Sequence, residues 1–148
     1  MQGRIATEGS IDLAALDIKT GAEEGRKLDL VHPTTGEPLG MWILVLGADS
    51  EAYLEQMREF NRRSIERLKR NQRAKLTPEE SEAQSLEVLV AITRGWSDNI
   101  KLDGQLLPFS AENARRLYAD KRLGWIPEQI YRGVHDRANF LQSSAPAS

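Results

Sequence analysis

A chain of 148 residues with 40% apolar and 28% charged side chains has material for one buried core and too little for two. Lys and Arg total 20 against 22 Asp and Glu, a formal net charge of -2, so no global field draws the chain onto nucleic acid or an anionic membrane. Without any cysteine there is no disulfide framework, no thiolate-held zinc and no thiol nucleophile.

Residues 1–25 read as an N-terminal arm: acidic Glu8 lies in a start that lacks the layout of a secretion signal, and a short apolar cluster, Ile11, Leu13, Ala14 and Leu16, precedes polar Lys19 to Glu24. Leu28 to Val31 and Met41 to Leu46 read as strands, the second more strongly for its branched and aromatic residues. The run Met41 to Leu46 is also the longest apolar stretch, far short of the roughly 20 residues of a membrane span. Between the strands, Pro33 to Pro38 carries two prolines and Gly36, a turn composition, and the expected product is a β-hairpin.

Asp49 and Ser50 can each cap the helix that follows. Tyr53, Met57, Phe60, Ser64 and Leu68 recur at three- and four-residue spacing, with Leu54 and Ile65 widening the stripe toward Ala74. The other sides are basic: Arg58, Arg62, Arg63, Arg67, Lys69, Arg70, Arg73 and Lys75. Residues 26–76 are therefore expected to be a hairpin plus a long basic amphipathic helix.

Residues 77–141 are expected to form a C-terminal three-helix unit. Thr77-Pro78-Glu79-Glu80 has capping-box spacing and a proline at the first helical position. The helix it opens carries Ala83, Leu86, Leu89, Val90, Thr93 and Trp96 on one face and further apolar residues on the others, which makes it the central one. Asp103-Gly104 between Ile100-Lys101-Leu102 and Gln105-Leu106-Leu107 reads as a tight hairpin. Ser110 caps a helix through Tyr118 to about Lys121, Gly124 interrupts, and Pro127 opens a last helix whose face is Ile126, Ile130, Val134, Ala138 and Leu141. Residues 142–148 form a small, polar tail expected to be flexible. The fold class is α+β, predominantly α-helical, in one compact domain.

No catalytic, metal-binding or cofactor-binding residue emerges. His32 and His135 lack the converging ligands that a metal needs, and neither a phosphate loop nor a dinucleotide turn is present. The adjacent acids Glu79 and Glu80 sit where a helix dipole favours negative charge. The basic run from Arg58 to Lys75 has three readings: a solvated face, a dock for an acidic protein, or a nucleic-acid contact, the last weakened by the absence of interleaved aromatics. Trp96, Trp125, Tyr118, Phe109 and Phe140 crowd the C-terminal half and read first as core, with Trp125, between Gly124 and Ile126-Pro127, carrying the alternative reading of an exposed loop anchor. The candidate partner-binding residues are Tyr53, Met57, Phe60, Arg62, Arg63, Arg67, Arg70 and Trp125.

Gly95-Trp96-Ser97-Asp98, Leu102-Asp103-Gly104, Leu107-Pro108-Phe109-Ser110, Glu112-Asn113-Ala114-Arg115, Leu117-Tyr118 and Asp136-Arg137-Ala138-Asn139-Phe140-Leu141 together resemble the tail assembly chaperones of long-tailed bacteriophages. The resemblance covers chiefly Leu86 to Leu141, and His32-Pro33, Gly36 to Gly40 and Asp49-Ser50 are similar to that family's N-terminal segment. It implies a non-enzymatic assembly factor in the cytoplasm of the infected host that binds the tape-measure protein, keeps its long helices soluble, recruits tail-tube subunits and is absent from the virion. It also implies the shorter of the two products that many members make by frameshifting. The basic helix is no hallmark of the family.

An amphipathic stripe with solvating charge around it suits such a holdase, and pairing with a second copy competes for the same stripe. The first alternative is a permanent component of the phage tail or head–tail junction. The second is a small nucleic-acid-binding regulator acting through Arg62, Arg63, Arg67 and Arg70.

Overall fold

The computed structural model describes residues 10–70 and 75–141. The expected tail at 142–148, the first nine residues of the arm, and Arg73 and Ala74 at the end of the basic helix lie outside the described residues. The fold is α+β and mostly helical. A short 3-10 turn, Leu13–Leu16, precedes α1 (Lys19–Glu24), β1 (Arg26–Val31), β2 (Pro38–Val45), α2 (Glu51–Lys69), α3 (Pro78–Ile92) and β3 (Thr93–Trp96). Then come β4 (Lys101–Leu102), β5 (Gln105–Leu106), α4 (Ala111–Ala119) and α5 (Trp125–His135), with 3-10 turns at Lys121–Leu123 and Arg137–Asn139. None of the described helices is long and apolar enough to cross a membrane.

The hairpin expected from the two apolar runs is present, with Leu28 opposite Ile43 and Asp29 opposite Trp42. β2 is the middle strand of an antiparallel sheet ordered β1-β2-β3. Its alternation divides the residues by face. Ile43 and Val45 are wholly buried, while Trp42 stays half-buried under the Lys27 ammonium, 4.2 Å from its ring centre. Ile43, Ile92 and Ile130 have no exposed surface, and each contributes about 1.5–3 kcal/mol by leaving water.

The third strand is a correction. Helical spacing carries α3 through to Trp96 in the sequence, yet the helix stops at Ile92 and Thr93 turns to φ -83, ψ 129. The open edge of β2 supplies the reason: Ile43 pairs with Trp96 and Leu44 with Gly95, and Leu46 N–H donates to the Ile92 carbonyl at 2.9 Å. These ladder bonds replace helical ones that branched Thr93 and flexible Gly95 would hold poorly. The start of α3 is as expected, with the full Thr77–Glu80 capping box and Pro78 in its first turn. Ser50 and Ser110 cap α2 and α4. Asp103 and Gly104 both adopt positive φ, 53° and 82°, the geometry that a two-residue hairpin between β4 and β5 requires.

Part of the expected arm belongs to the body. Gly21 and Ala22 of α1 are buried, and a Cβ added at Gly21 would lie 1.8 Å from the Phe140 carbonyl oxygen. Glu23 accepts the Glu51 N–H at 2.7 Å and so joins the first turn of α2. The last helix also departs from its pattern. It ends at His135, where Asp136 turns extended and caps the next turn through Ala138 N–H. Ala138 and Leu141 are therefore exposed, and Phe140 enters the core in their place.

Candidate functional site

The inward stripe of α2 is largely consumed by the protein itself. Phe60 is buried, Met57 is half-buried, and Tyr53 packs against the core. The Tyr53 ring meets His135 edge-on at 5.4 Å, and its hydroxyl lies 2.9 Å from His135 Nε2. His135 Nδ1 lies 3.0 Å from the Tyr131 carbonyl, which can only accept. In the neutral ring Nδ1 is then the donor, and Nε2 accepts from Tyr53. Burial pushes the Tyr53 phenol up from its ordinary value, with the neighbouring Tyr131 adding to it.

The arginines are partly matched along the same helix. Arg58 bonds Glu51 and Glu55, while Arg62 and Arg63 both reach Glu59, whose carboxyl is held low chiefly by the hydrogen bond from Arg62. Arg62, Arg63, Arg67 and Arg70 with Glu66 line a shallow depression of about 470 Å³ at the far end of α2. Trp125 corrects the expectation of an exposed loop anchor. Gly124 already has helical angles, Trp125 is the first residue of α5, and its side chain is half-buried against the core. Pro127 is accordingly the third residue of that helix. The structure does not gather Trp125 with the α2 residues into one site.

What it does form is a surface cleft of about 1020 Å³ between α3, the α4–α5 connection and α5. Leu86, Leu89, Tyr118, Pro127 and Tyr131 supply its apolar lining. Glu82, Asp120, Lys121, Glu128 and Arg132 surround them with mixed charge, and Lys121 reaches Glu82 across one end at 3.6 Å. Tyr131 is 52% exposed, a large aromatic left in water beside a hydrophobic trough. Sequence reasoning missed this site. Its one local signal was Tyr131, an aromatic one position off the Ile126–Ile130–Val134 face of α5.

The cleft is shaped from below by a buried polar pair. Thr93 Oγ1 donates to the Leu89 carbonyl at 2.6 Å and lies 2.8 Å from the Tyr118 hydroxyl. If Thr93 donates to Leu89, Tyr118 donates to Thr93, and both hydroxyl hydrogens are used. Burial pushes the Tyr118 phenol far above its ordinary value, so it stays neutral. Among the described residues no group of three or more His, Asp or Glu is gathered as metal ligands would be. His32 is used locally, its Nδ1 accepting from the Thr34 and Thr35 N–H groups at 3.2 Å.

The residues that carry the phage-chaperone resemblance do structural work. Trp96 Nε1 donates to the Leu107 carbonyl, Ser97 Oγ accepts from Trp42 N–H, and Asn113 Nδ2 donates to the Pro108 carbonyl. Arg137 clasps Asp49 with two bonds of 2.8 and 2.9 Å, and Asn139 Nδ2 donates to the Gly133 carbonyl. The Ser97–Trp42 and Arg137–Asp49 bonds tie the C-terminal unit to the hairpin and the start of α2, and the others brace the unit internally. No protein-family model matches the chain, and neither does any curated protein or solved structure.

Proposed function

We propose that this chain is a tail assembly chaperone of a long-tailed bacteriophage, a non-enzymatic holdase that receives an amphipathic helix of the tape-measure protein in the α3–α5 cleft. The observation that carries the reading is the cleft itself, an apolar trough with aromatic Tyr131 at its edge and charge of both signs around it. A helix laid in a groove uses this arrangement: apolar residues every three or four positions fill the trough, and the rim charges keep the complex dispersed. The resemblance over Leu86 to Leu141 supplies the client's identity, and the cytoplasm of the infected host follows from it. Recruitment of tail-tube subunits would then fall to surfaces outside the cleft.

The test is co-expression with the tape-measure protein and the tail-tube protein. The expected result is a soluble complex that is lost on Leu86→Glu or Tyr131→Glu, with the variants themselves folded. If the tape-measure protein remains insoluble and nothing co-purifies, the reading falls. Recovery of the chain in stoichiometric amounts from purified virions would establish a permanent tail component instead.

A further inference from the structure

We infer that the free edge of β1 takes up an extended segment of a partner protein as an added antiparallel strand, with a basic residue opposite Asp29, a small apolar one opposite Leu28 and an acidic one opposite Lys27. This goes beyond the proposed function and does not depend on it. The ladder fixes which backbone groups are free. The Trp42 carbonyl accepts from Ser97 N–H at 2.9 Å and Trp42 N–H donates to Ser97 Oγ, so Trp42 faces β3. Ile43, next along β2, therefore faces β1 and occupies both backbone groups of Leu28, the residue opposite. Alternation turns the N–H and carbonyl groups of Lys27 and Asp29 the other way, outward from the sheet. Val31 faces outward too, and there the Gln129 amide supplies both partners. β1 is an edge strand, and among the described residues nothing bonds Lys27 or Asp29 on that side. Donors and acceptors left in a row at this spacing are a template for another main chain.

The surroundings select the occupant. A groove of about 380 Å³ runs between this edge and α5, lined by Leu28, Gln129, Arg132, Gly133 and Asp136. A second copy laid edge to edge would bring its own α5 against the first, because α5 stands beside the same edge. A single extended strand fits, and its backbone matches the free groups. Gln129 indicates the direction. One amide takes both the N–H and the carbonyl of Val31, as one residue of an antiparallel neighbour does, whereas a parallel neighbour divides those bonds between two residues. Lys27 and Asp29 are exposed on the sheet face away from the core, and neither makes an ion pair; the Lys27 ammonium lies over the Trp42 ring instead. Opposite charges directly across an added strand stabilise the pairing by about 0.2–1 kcal/mol each. The residue between them falls on the inner side, where α5 and β1 approach so closely that a Cβ at Gly133 would meet Leu28 at 2.6 Å. Only a small apolar side chain has room there.

The test is an NMR titration of the isotope-labelled full chain with the end-capped peptide Thr-Lys-Val-Glu-Thr, carried into the millimolar range. The expected result is a shift and slowed hydrogen exchange at the Lys27 and Asp29 amides, with severalfold weaker binding of Thr-Glu-Val-Lys-Thr, which sets like charges opposite each other. N-methylation of the peptide at its lysine or its glutamate should abolish binding, because those N–H groups face β1. The same change at its valine should be harmless. Lys27→Glu combined with Asp29→Lys in one chain should reverse the preference between the two peptides. Absence of any response at Lys27 and Asp29 overturns the inference, and so does equal binding of the two peptides or indifference to the site of methylation. Protection of both amides in the chain by itself, whether by residues 142–148 or by a second copy, overturns it as well. Loss of client binding with strand addition intact would count against the proposed function only.

Discussion

The side-chain amide of Gln129 meets both backbone groups of Val31: its Oε1 accepts the Val31 N–H at 3.1 Å, and its Nε2 donates to the Val31 carbonyl at 2.9 Å. β1 is an edge strand, and at this point a glutamine from α5 stands where a neighbouring strand would be. Edge strands left open invite other chains, so the amide both satisfies two part-buried polar groups and shields the edge. Gln129→Ala should cost about 1–3 kcal/mol, the penalty of leaving those groups unpaired. Gln129→Glu should fall between, since a carboxylate still accepts but cannot donate. Urea unfolding of the three proteins checks the order.

Among the described glycines, Gly21 leaves the least room for a side chain. A methyl group there has no room against the Phe140 carbonyl, whereas a Cβ at Gly124 meets nothing within 4 Å and its backbone is already helical. Gly21→Ala is expected to destabilise by about 1–3 kcal/mol and to speed hydrogen exchange across Lys19–Glu24. Gly124→Ala is expected to stabilise by about 0.4–1 kcal/mol through the unfolded chain. Thermal midpoints moving in the same direction would refute the docking of α1.

Removing the Tyr118 hydroxyl should be mild, because Thr93 keeps its bond to Leu89. Tyr118→Phe is expected to cost about 0.5–1.5 kcal/mol. Thr93→Val leaves both the Tyr118 hydroxyl and the Leu89 carbonyl short of a partner and should cost more, about 1–3 kcal/mol. Equal losses would mean that the two hydroxyls do not form the bonding chain assigned to them.

Carboxylates held low by their partners make the protein acid-sensitive, Asp120, Asp103 and Asp49 among them. Hydrogen bonds from the Arg122 side chain, with the Arg122 N–H adding, hold Asp120 down at about 2 against an ordinary 3.8. Arg122 also lowers Asp103, and the Arg137 hydrogen bond lowers Asp49. All three are depressed in the folded state, so their stabilisation is complete above the ordinary carboxylate range and is lost as pH falls through the folded values. Stability should decline from about pH 4 toward pH 2. Asp49→Asn and Asp120→Asn should lower the thermal midpoint at neutral pH and converge with the unmodified protein near pH 2. Parallel curves throughout would contradict the assignment.

The features legible in the sequence are those decided within a few residues. Ser50, Ser110 and the Thr77–Glu80 box mark helix starts because a side chain there reaches a backbone N–H two or three positions on, and Asp103-Gly104 marks a turn because both residues tolerate positive φ. The β1–β2 hairpin follows from apolar runs flanking a proline-rich turn. Thr93 to Trp96 kept helical spacing but became a strand because β2, about fifty residues earlier, had an unfilled edge. The docking of α1 depends on Phe140 near the opposite end of the chain, and no local pattern announces it.

The candidate site divides in the same way. Tyr53, Met57 and Phe60 turn inward, whereas Leu54, Ile65 and Leu68, read from the sequence as part of the same stripe, stand exposed, because periodicity does not say how wide a face the chain's own helices cover. The cleft is lined by α3, the α4–α5 connection and α5, elements far apart in sequence, so no local pattern shows it.

Because α3 passes into β3 without an intervening loop, it acts as a lever hinged at Thr93, where the Leu89 carbonyl, the Tyr118 hydroxyl and the β2 ladder all hold. Force applied at Leu86 loads the sheet directly and has little room to swing the helix aside. The opposite wall is the 3-10 turn Lys121–Leu123, held by Leu123 against the core and by exposed ion pairs from Lys121 and Arg122. Whatever enters between the two walls meets one side continuous with the sheet and another joined to it across the opening by the Lys121–Glu82 ion pair.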